Sequence, residues 1–141
     1  FEQAQRRQVG ILARLPLSSG MLTGKMRADT PFESTDHRAY NRQGESFDRG
    51  ETFSGVDYQI GLEAVEELRA ILPAGMSMAQ FAMRWILMFP AVTCVIPGGK
   101  NPAQVEENTR TADLPELSPE TMQKVAEIYL RRIKPLVHHY W

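Results

Sequence analysis

Two glycines between a predicted strand and a predicted helix form the most distinctive motif of this 141-residue sequence. The apolar run 91–96 predicts a buried strand, and Gly98 and Gly99 follow it almost at once. Asn101 and Pro102 then provide a helix N-cap and a proline at the first helical position. Glycines allow close approach of the backbone to a ligand, and a helix N-terminus presents unpaired N–H groups. The pattern predicts a phosphate site, and the alternative is a tight turn that binds nothing.

Arg14 is the second candidate for binding chemistry, because it stands at the carboxyl end of the apolar run 9–15. That run predicts the first strand, and ligands of parallel α/β folds lie at the carboxyl ends of the strands. Arg14 could bind a phosphate or lie flat on an aromatic ring, and the alternative is a salt bridge at the rim. Lys25 and Lys100 could add full charges to a phosphate site.

The other reactive side chains form no recognisable constellation. The three histidines lack the spacing of metal ligands, so we interpret them as surface residues and predict no metal site. Cys94 lies inside the second predicted strand and is interpreted as a core residue. Ser18 and Ser19 have no histidine and acid at a convincing spacing, so nucleophilic catalysis is not supported.

The elements that would hold these residues alternate between strand and helix, which is typical of an α/β fold with parallel strands. The stretch 26–57 is polar and punctuated by glycines, and it predicts one long loop that its three phenylalanines should pack onto a surface. Four helices are predicted, beginning near Gly61, Ser77, Asn101 and Ser118. The second begins with the capping-box spacing Ser77 to Gln80.

The charge, the hydropathy and the cysteine content of the sequence limit its expected partners and cellular setting. The sequence has 16 Lys+Arg against 17 Asp+Glu, and the net charge of −1 indicates neither nucleic acid nor an anionic membrane as a partner. No apolar run approaches the roughly 18 residues of a membrane span. A single cysteine fits a reducing, cytoplasmic setting. The polar stretch 1–7 is typical of the tail of a helix, so we expect the chain to be part of something longer.

Three segments together resemble the aldo/keto reductase family. Residues 14–25 (RLPLSSGMLTGK) are similar to the segment after the family's seventh strand, and residues 96–108 (IPGGKNPAQVEEN) to the segment after its eighth. Residues 79–87 (AQFAMRWIL) resemble the seventh barrel helix. The resemblance implies the C-terminal portion of a (β/α)₈ TIM barrel, with 1–141 as a single partial domain, since a barrel needs about 250 residues. Family members reduce aldehydes and ketones with NADPH and without a metal.

The same resemblance implies a role for each cofactor-binding position. Arg14 falls where the family often has an aromatic residue stacked on the nicotinamide. The loop around the pyrophosphate corresponds to Leu17, Ser19, Gly20 and Leu22. The segment around the adenosine 2′-phosphate corresponds to Gly98, Gly99, Lys100 and Asn101. The residues that contact the adenosine correspond to Gln104, Glu107 and Asn108. Many members carry a basic side chain where Gly98 stands, so Lys100 is the candidate cation here, and the choice between NADPH and NADH stays open.

No catalytic residue is implied within this chain. The family's catalytic Asp, Tyr, Lys and His lie in earlier strands, and none of the four tyrosines here lies in a matching motif. The expected function is an NADP(H)-dependent oxidoreductase of small carbonyl compounds, to which this chain contributes the cofactor-binding portion. The alternatives are a truncated nucleotide-binding or regulatory module and a fragment without a function of its own.

The predicted two-stranded sheet also implies a partner. Two strands leave sheet edges unpaired and helix faces uncovered, so the missing N-terminal part of the barrel or another copy of the chain should cover them. The long loop 26–57 is expected to lie over the cofactor or to border the substrate pocket.

Overall fold

The computed structural model describes residues 1–140 and shows helices arranged around two parallel strands. In chain order the elements are α1 (Glu2–Arg6), β1 (Ile11–Arg14), α2 (His37–Tyr40), α3 (Tyr58–Ala70), α4 (Met78–Leu87), β2 (Val92–Ile96), α5 (Pro102–Arg110), α6 (Pro119–Ile128) and α7 (Lys134–Val137). A π-helical segment, Tyr129–Ile133, joins α6 to α7, and 3₁₀ turns occur at Met21–Thr23, Arg49–Glu51, Phe53–Gly55, Thr111–Asp113 and His138–Tyr140. Trp141 lies outside the described residues. Within residues 1–140, no helix has the length and apolar character needed to cross a bilayer.

The strands pair in parallel, as predicted, and this pairing sets the geometry of the site. Leu12 is paired with Cys94 and Arg14 with Ile96, after an irregularity at the start of β1. Because parallel strands end at the same edge, the segments after Arg14 and after Ile96 leave the sheet side by side. The two motifs found in the sequence are therefore neighbours in space.

The prediction that both strands are buried was wrong. The side of the sheet that carries Leu12 and Ile96 is open, and these residues are 60% and 54% exposed. Helix α4 packs against β2, yet Cys94 is only half-buried and is not a core residue. The apolar runs correctly predicted strands, but the depth of a strand depends on how many layers pack against it.

Local capping signals fix where the helices begin. Ser77 and Gln80 form the predicted capping box at α4, and Asn101 and Ser118 cap α5 and α6 as their positions before Pro102 and Pro119 indicated. Helix α3 begins three residues before the predicted start, because the Asp57 carboxylate accepts hydrogen bonds from the first backbone N–H groups of the helix.

The long loop is packed, as its phenylalanines predicted, but it also contains short helical turns. Phe53 is 1% exposed and lies in a core cluster with Tyr58 of α3 and Met78 of α4. Phe32 packs edge-on against Tyr58, whereas Phe47 stays largely exposed beside Tyr40. Residues 26–57 thus form a folded segment that packs against α3 and α4.

Candidate functional site

A cleft of about 840 Å³ lies where the two strands end. One wall is the segment 15–26 that follows β1, and the facing wall is the β2–α5 loop with the first turns of α5. Residues 30–38 of the long loop and the N-terminal end of α4 complete it. A cleft of this volume is in the range that binds small molecules and cofactors.

Nine of the twelve residues expected at the cofactor line this cleft. They are Leu17, Ser19, Gly20, Gly98, Gly99, Lys100, Gln104, Glu107 and Asn108. The three that do not line it are Arg14, Leu22 and Asn101. Asn101 serves as the N-cap of α5, and Leu22 is half-buried against the apolar core.

Side chains of α5 hold the β2–α5 loop in place. The Gln104 side-chain oxygen accepts a hydrogen bond from the Lys100 backbone N–H at 2.7 Å, and Asn101 Oδ1 accepts one from the Gln104 N–H at 3.0 Å. Asn108 Nδ2 donates to the Gly98 carbonyl at 3.1 Å. Gln104 and Asn108, which the resemblance assigns to the adenosine, therefore hold the β2–α5 loop through their side chains. The Lys100 side chain stays exposed and lines the cleft.

Glu107 joins the two helices at the back of the cleft. Its Oε1 accepts a hydrogen bond of 2.6 Å from the Ser77 hydroxyl, which itself caps α4. The Gln80 side chain also donates to the Glu107 carbonyl at 3.4 Å. The N-terminal end of α4 is therefore held directly against the second half of α5.

The wall that follows β1 has an unusual backbone. Leu15, Ser18 and Ser19 adopt φ values of 52°, 47° and 54°, in the left-handed region that non-glycine residues rarely occupy. The strain is offset by contacts with the long loop, because Ser19 Oγ accepts a hydrogen bond from the Phe53 N–H at 3.1 Å and lies 3.4 Å from His37 Nε2. Backbone strain of this kind often marks ligand-binding segments.

Arg14 forms a salt bridge, which the sequence analysis gave as the alternative to binding a phosphate or an aromatic ring. Its guanidinium donates to Glu51 Oε2 at 3.0 Å, and both side chains are well exposed. The contact links the end of β1 to the long loop. An exposed pair of this kind contributes little to stability, about 0–1 kcal/mol.

Asp36, His37 and Arg38 are cleft residues that the sequence did not indicate. Arg38 donates to both oxygens of the Asp36 carboxylate and to the Ser19 carbonyl at 3.2 Å, and its guanidinium lies 4.7 Å from the centre of the Phe32 ring. The hydrogen bonds from Arg38 lower the pKa of Asp36 to about 2. The only local signal was Asp36 as the N-cap of α2, since the contacts to Ser19 and Phe32 depend on how the loop folds back.

The lowered pKa of Asp36 predicts an acid-dependent loss of stability. The folded state binds this proton less readily than the unfolded chain, so the stabilisation is fully present above the usual value of 3.8 and is lost as the pH falls towards 2. The urea unfolding midpoint of the wild-type chain should therefore decrease as the pH falls from 3.8 towards 2. In Asp36→Asn this decrease should be smaller. Asp29→Asn, which changes an exposed carboxylate of the same loop, should leave the decrease as it is. Equal pH dependence in both variants would contradict the prediction.

Within residues 1–140, no three side chains of His, Cys, Asp and Glu are grouped as metal ligands. The cleft contains a glycine-containing turn, two exposed lysines and polar side chains that hold the backbone. These features suit an anionic organic ligand.

Comparison with known proteins identifies the family. The sequence profile of the aldo/keto reductase family matches residues 1–130, so the chain belongs to this family. Members generally bind a nicotinamide cofactor and act as oxidoreductases. The family expectation drawn from the motifs after β1 and β2 is confirmed.

Individual relatives agree with this assignment. The chain is 31% identical over 126 residues to an L-glyceraldehyde 3-phosphate reductase of Escherichia coli O157:H7, with 89% of the chain aligned to 35% of that protein. It is 28% identical over 114 residues to a putative voltage-gated potassium channel subunit beta of Schizosaccharomyces pombe, with 80% of the chain aligned to 32% of that protein. The chain thus spans about a third of the relatives it matches.

A solved structure resembles the fold. The glycerol dehydrogenase AKR11B4 from Gluconobacter oxydans superposes with a TM-score of 0.73 and 26% identity, covering 94% of this chain and 37% of the dehydrogenase. An aldo-keto reductase from Bacillus halodurans superposes with a TM-score of 0.56 at 19% identity, which supports the fold alone.

Proposed function

We propose that the chain forms the cofactor-binding portion of an NADP(H)-dependent oxidoreductase that reduces aldehydes or ketones to alcohols. The observation that carries the proposal is the cleft, in which the segments after β1 and β2 face each other. Membership of the aldo/keto reductase family supports the reaction class. The cytoplasmic setting and the small carbonyl substrate expected from the sequence belong to the same proposal.

The residues of the cleft fit a phosphate-bearing dinucleotide. Gly98 leaves open space where a Cβ would lie, so an anion can approach the backbone there. Lys25 and Lys100 are both exposed and both line the cleft, and the N-terminal end of α5 adds a partial positive charge. When bound, the nicotinamide cofactor supplies the hydride for carbonyl reduction. The chain's own residues bind its phosphates and orient it.

Reduction by this portion requires a partner that supplies the proton donor. None of the chain's tyrosines lies in the family's catalytic motif, and the two-stranded sheet has free edges and an exposed apolar side at Leu12 and Ile96. A TIM barrel needs six more strands than the two present here. We therefore propose that the N-terminal part of the barrel, or a second copy of the chain, covers this face.

Titration of the 141-residue chain with NADPH and with NADH tests the cofactor-binding part of the proposal. We expect saturable NADPH binding that Lys100→Ala weakens about tenfold, equivalent to about 1.4 kcal/mol, because a cation that faces the 2′-phosphate is lost. NADH binding should change much less. Calorimetry measures both affinities, and circular dichroism confirms that each variant is folded.

Lys124→Ala is the matched control, because Lys124 is an exposed lysine of α6 that pairs with Glu120 and does not line the cleft. It should leave both affinities unchanged. If Lys100→Ala and Lys124→Ala bind NADPH alike, the proposed phosphate contact is wrong. If the folded wild-type chain binds neither cofactor, the site requires the missing part of the barrel.

A non-catalytic nucleotide-binding or regulatory module is the second candidate. The observation in its favour is the similarity to proteins described as potassium channel beta subunits in Schizosaccharomyces pombe and Arabidopsis thaliana. Turnover separates the two candidates. Oxidation of NADPH in the presence of an aldehyde supports the enzyme, whereas cofactor binding with no turnover, alone or with its partner portion, supports the module.

A further inference from the structure

The hydroxyl group of Ser19 lies between the protein and the open space of the cleft. Ser19 lines the cleft, and its Oγ accepts a hydrogen bond from the Phe53 N–H at 3.1 Å and lies 3.4 Å from His37 Nε2. A hydroxyl group has one hydrogen to donate and two lone pairs that accept. With Phe53 on one lone pair, His37 Nε2 can bond either to the other lone pair or to the hydroxyl hydrogen. The protonation state of His37 decides which of the two it uses.

His37 has a carboxylate on its other side. The ring lines the cleft, 39% of the side chain is exposed, and Nδ1 lies 3.6 Å from Asp36 Oδ1. Because hydrogen bonds from Arg38 hold the pKa of Asp36 at about 2, this carboxylate is ionised near neutral pH. A carboxylate beside Nδ1 favours a proton on that nitrogen. We therefore assign the neutral ring as the Nδ1–H form, in which Nε2 is an acceptor.

Two arrangements of hydrogen bonds follow from this assignment. When His37 is neutral, Nε2 accepts the hydroxyl hydrogen of Ser19, and none remains for a ligand. When His37 is protonated, both ring nitrogens are donors, so Nε2–H donates to Ser19 Oγ. Both lone pairs of that oxygen are then used, by His37 and by Phe53, and the hydroxyl hydrogen is available to an acceptor in the cleft.

The charged groups around His37 cancel one another. They come from the long loop, from the segment after β1 and from the region of β2 and α5. Three are cations and three are carboxylates, namely Lys25, Arg38 and Lys100 against Glu33, Asp36 and Glu107. A proton on His37 therefore makes this set net positive, which favours an anion in the cleft.

We propose that His37 is a positioning residue that makes anion binding in the cleft depend on pH, because its protonation allows the Ser19 hydroxyl to donate to a phosphate oxygen. The inference rests on the proposed function, since the phosphate is that of the dinucleotide. Binding is tighter when the ring carries a proton and weaker when the ring is neutral. Histidine side chains change charge within the physiological pH range, so the effect falls where the protein works.

Calorimetric titration with NADP⁺ at about pH 5.5 and at about pH 8 tests the inference. NADP⁺ is used because it is stable in mild acid, unlike NADPH. Its 2′-phosphate also titrates in this range, so the quantity compared between variants is the dissociation constant at the higher pH divided by that at the lower pH. We expect this ratio to be at least about fivefold larger in the wild-type chain than in His37→Gln, whose side chain gains no charge. Circular dichroism confirms that each variant is folded at both pH values.

Two further variants locate the effect. His139→Gln replaces an exposed histidine that does not line the cleft, and it should keep the wild-type ratio. Ser19→Ala should lower the ratio towards that of His37→Gln, because the hydroxyl group is gone. A wild-type ratio in Ser19→Ala would show that the ring charge acts without the hydroxyl, and it overturns the inference.

The outcome also separates this inference from the proposed function. Equal ratios in the wild-type chain and His37→Gln, with NADP⁺ bound in both, overturn the inference and leave the proposed function intact. A folded wild-type chain that binds NADP⁺ at neither pH overturns the inference for the isolated chain, and this outcome also removes cofactor binding by the isolated chain.

Discussion

Replacing Asn41 by alanine should strongly destabilise the long loop. Asn41 is fully buried, its Oδ1 accepts hydrogen bonds from the Ser46 and Phe47 backbone N–H groups at 2.8 Å, and its Nδ2 donates to Thr52 Oγ1 at 3.2 Å. A longer contact of 3.4 Å reaches the Asp48 carbonyl. Removal of these contacts in a buried setting should lower the free energy of unfolding by about 2–4 kcal/mol.

Two measurements check this effect. Urea unfolding gives the global loss, and amide hydrogen exchange should show that Ser46 and Phe47 lose their protection. Gln43→Ala changes an exposed side chain of the same loop and should alter stability by no more than about 0.5 kcal/mol. If Asn41→Ala is as stable as Gln43→Ala, Asn41 does not organise the loop. Because residues 30–38 line the cleft, a loosened loop should also weaken NADPH binding if the proposed function is right.

The second large effect is expected at Gly24. Its φ of 70° lies in the left-handed region, and a Cβ there would lie 2.9 Å from Met78 Cγ and from Arg69 Nη2. Met78 is buried, and Arg69 donates to the Gly24 carbonyl at 2.6 Å. Gly24→Ala therefore combines backbone strain with overpacking, and we expect a loss of about 2–4 kcal/mol in urea unfolding.

Gly75→Ala is a control with matched backbone geometry. Gly75 has a φ of 82°, and nothing lies within 4 Å of the position its Cβ would take. This variant should show the backbone strain alone, about 1–2 kcal/mol. The difference between the two variants measures the overpacking against Met78. Equal losses would mean that the core rearranges around the added methyl group at Gly24 without cost.

Local features of the site were predictable because each is set within a few residues. The capping box at Ser77, the N-cap at Asn101 and the parallel order of the strands followed from spacing, and all three are confirmed. The family also followed from short motifs. The cofactor roles of Lys100 and the neighbouring glycines stay predictions, because neither the fold nor the comparisons test them.

Contacts between distant segments were not predictable. Arg14 pairs with Glu51 across 37 positions, and Ser19 accepts a hydrogen bond from Phe53 across 34. Such contacts depend on the path of the whole loop, which no periodicity encodes. The exposure of Leu12 and Ile96 was not predictable either, because the burial of a strand depends on which other elements pack against it.

The order of strands and helices, the helix starts and family membership were thus present in the sequence, because each depends on short-range patterns of side chains. The tertiary structure alone decided that Gln104 and Asn108 hold the β2–α5 loop, that Asp36 and Arg38 join the cleft, and that His37 lies beside Ser19. Hydrogen bonds within one turn of a helix are specified by spacing. A cleft exists only after segments far apart in the chain have packed together, so its shape depends on all of them at once.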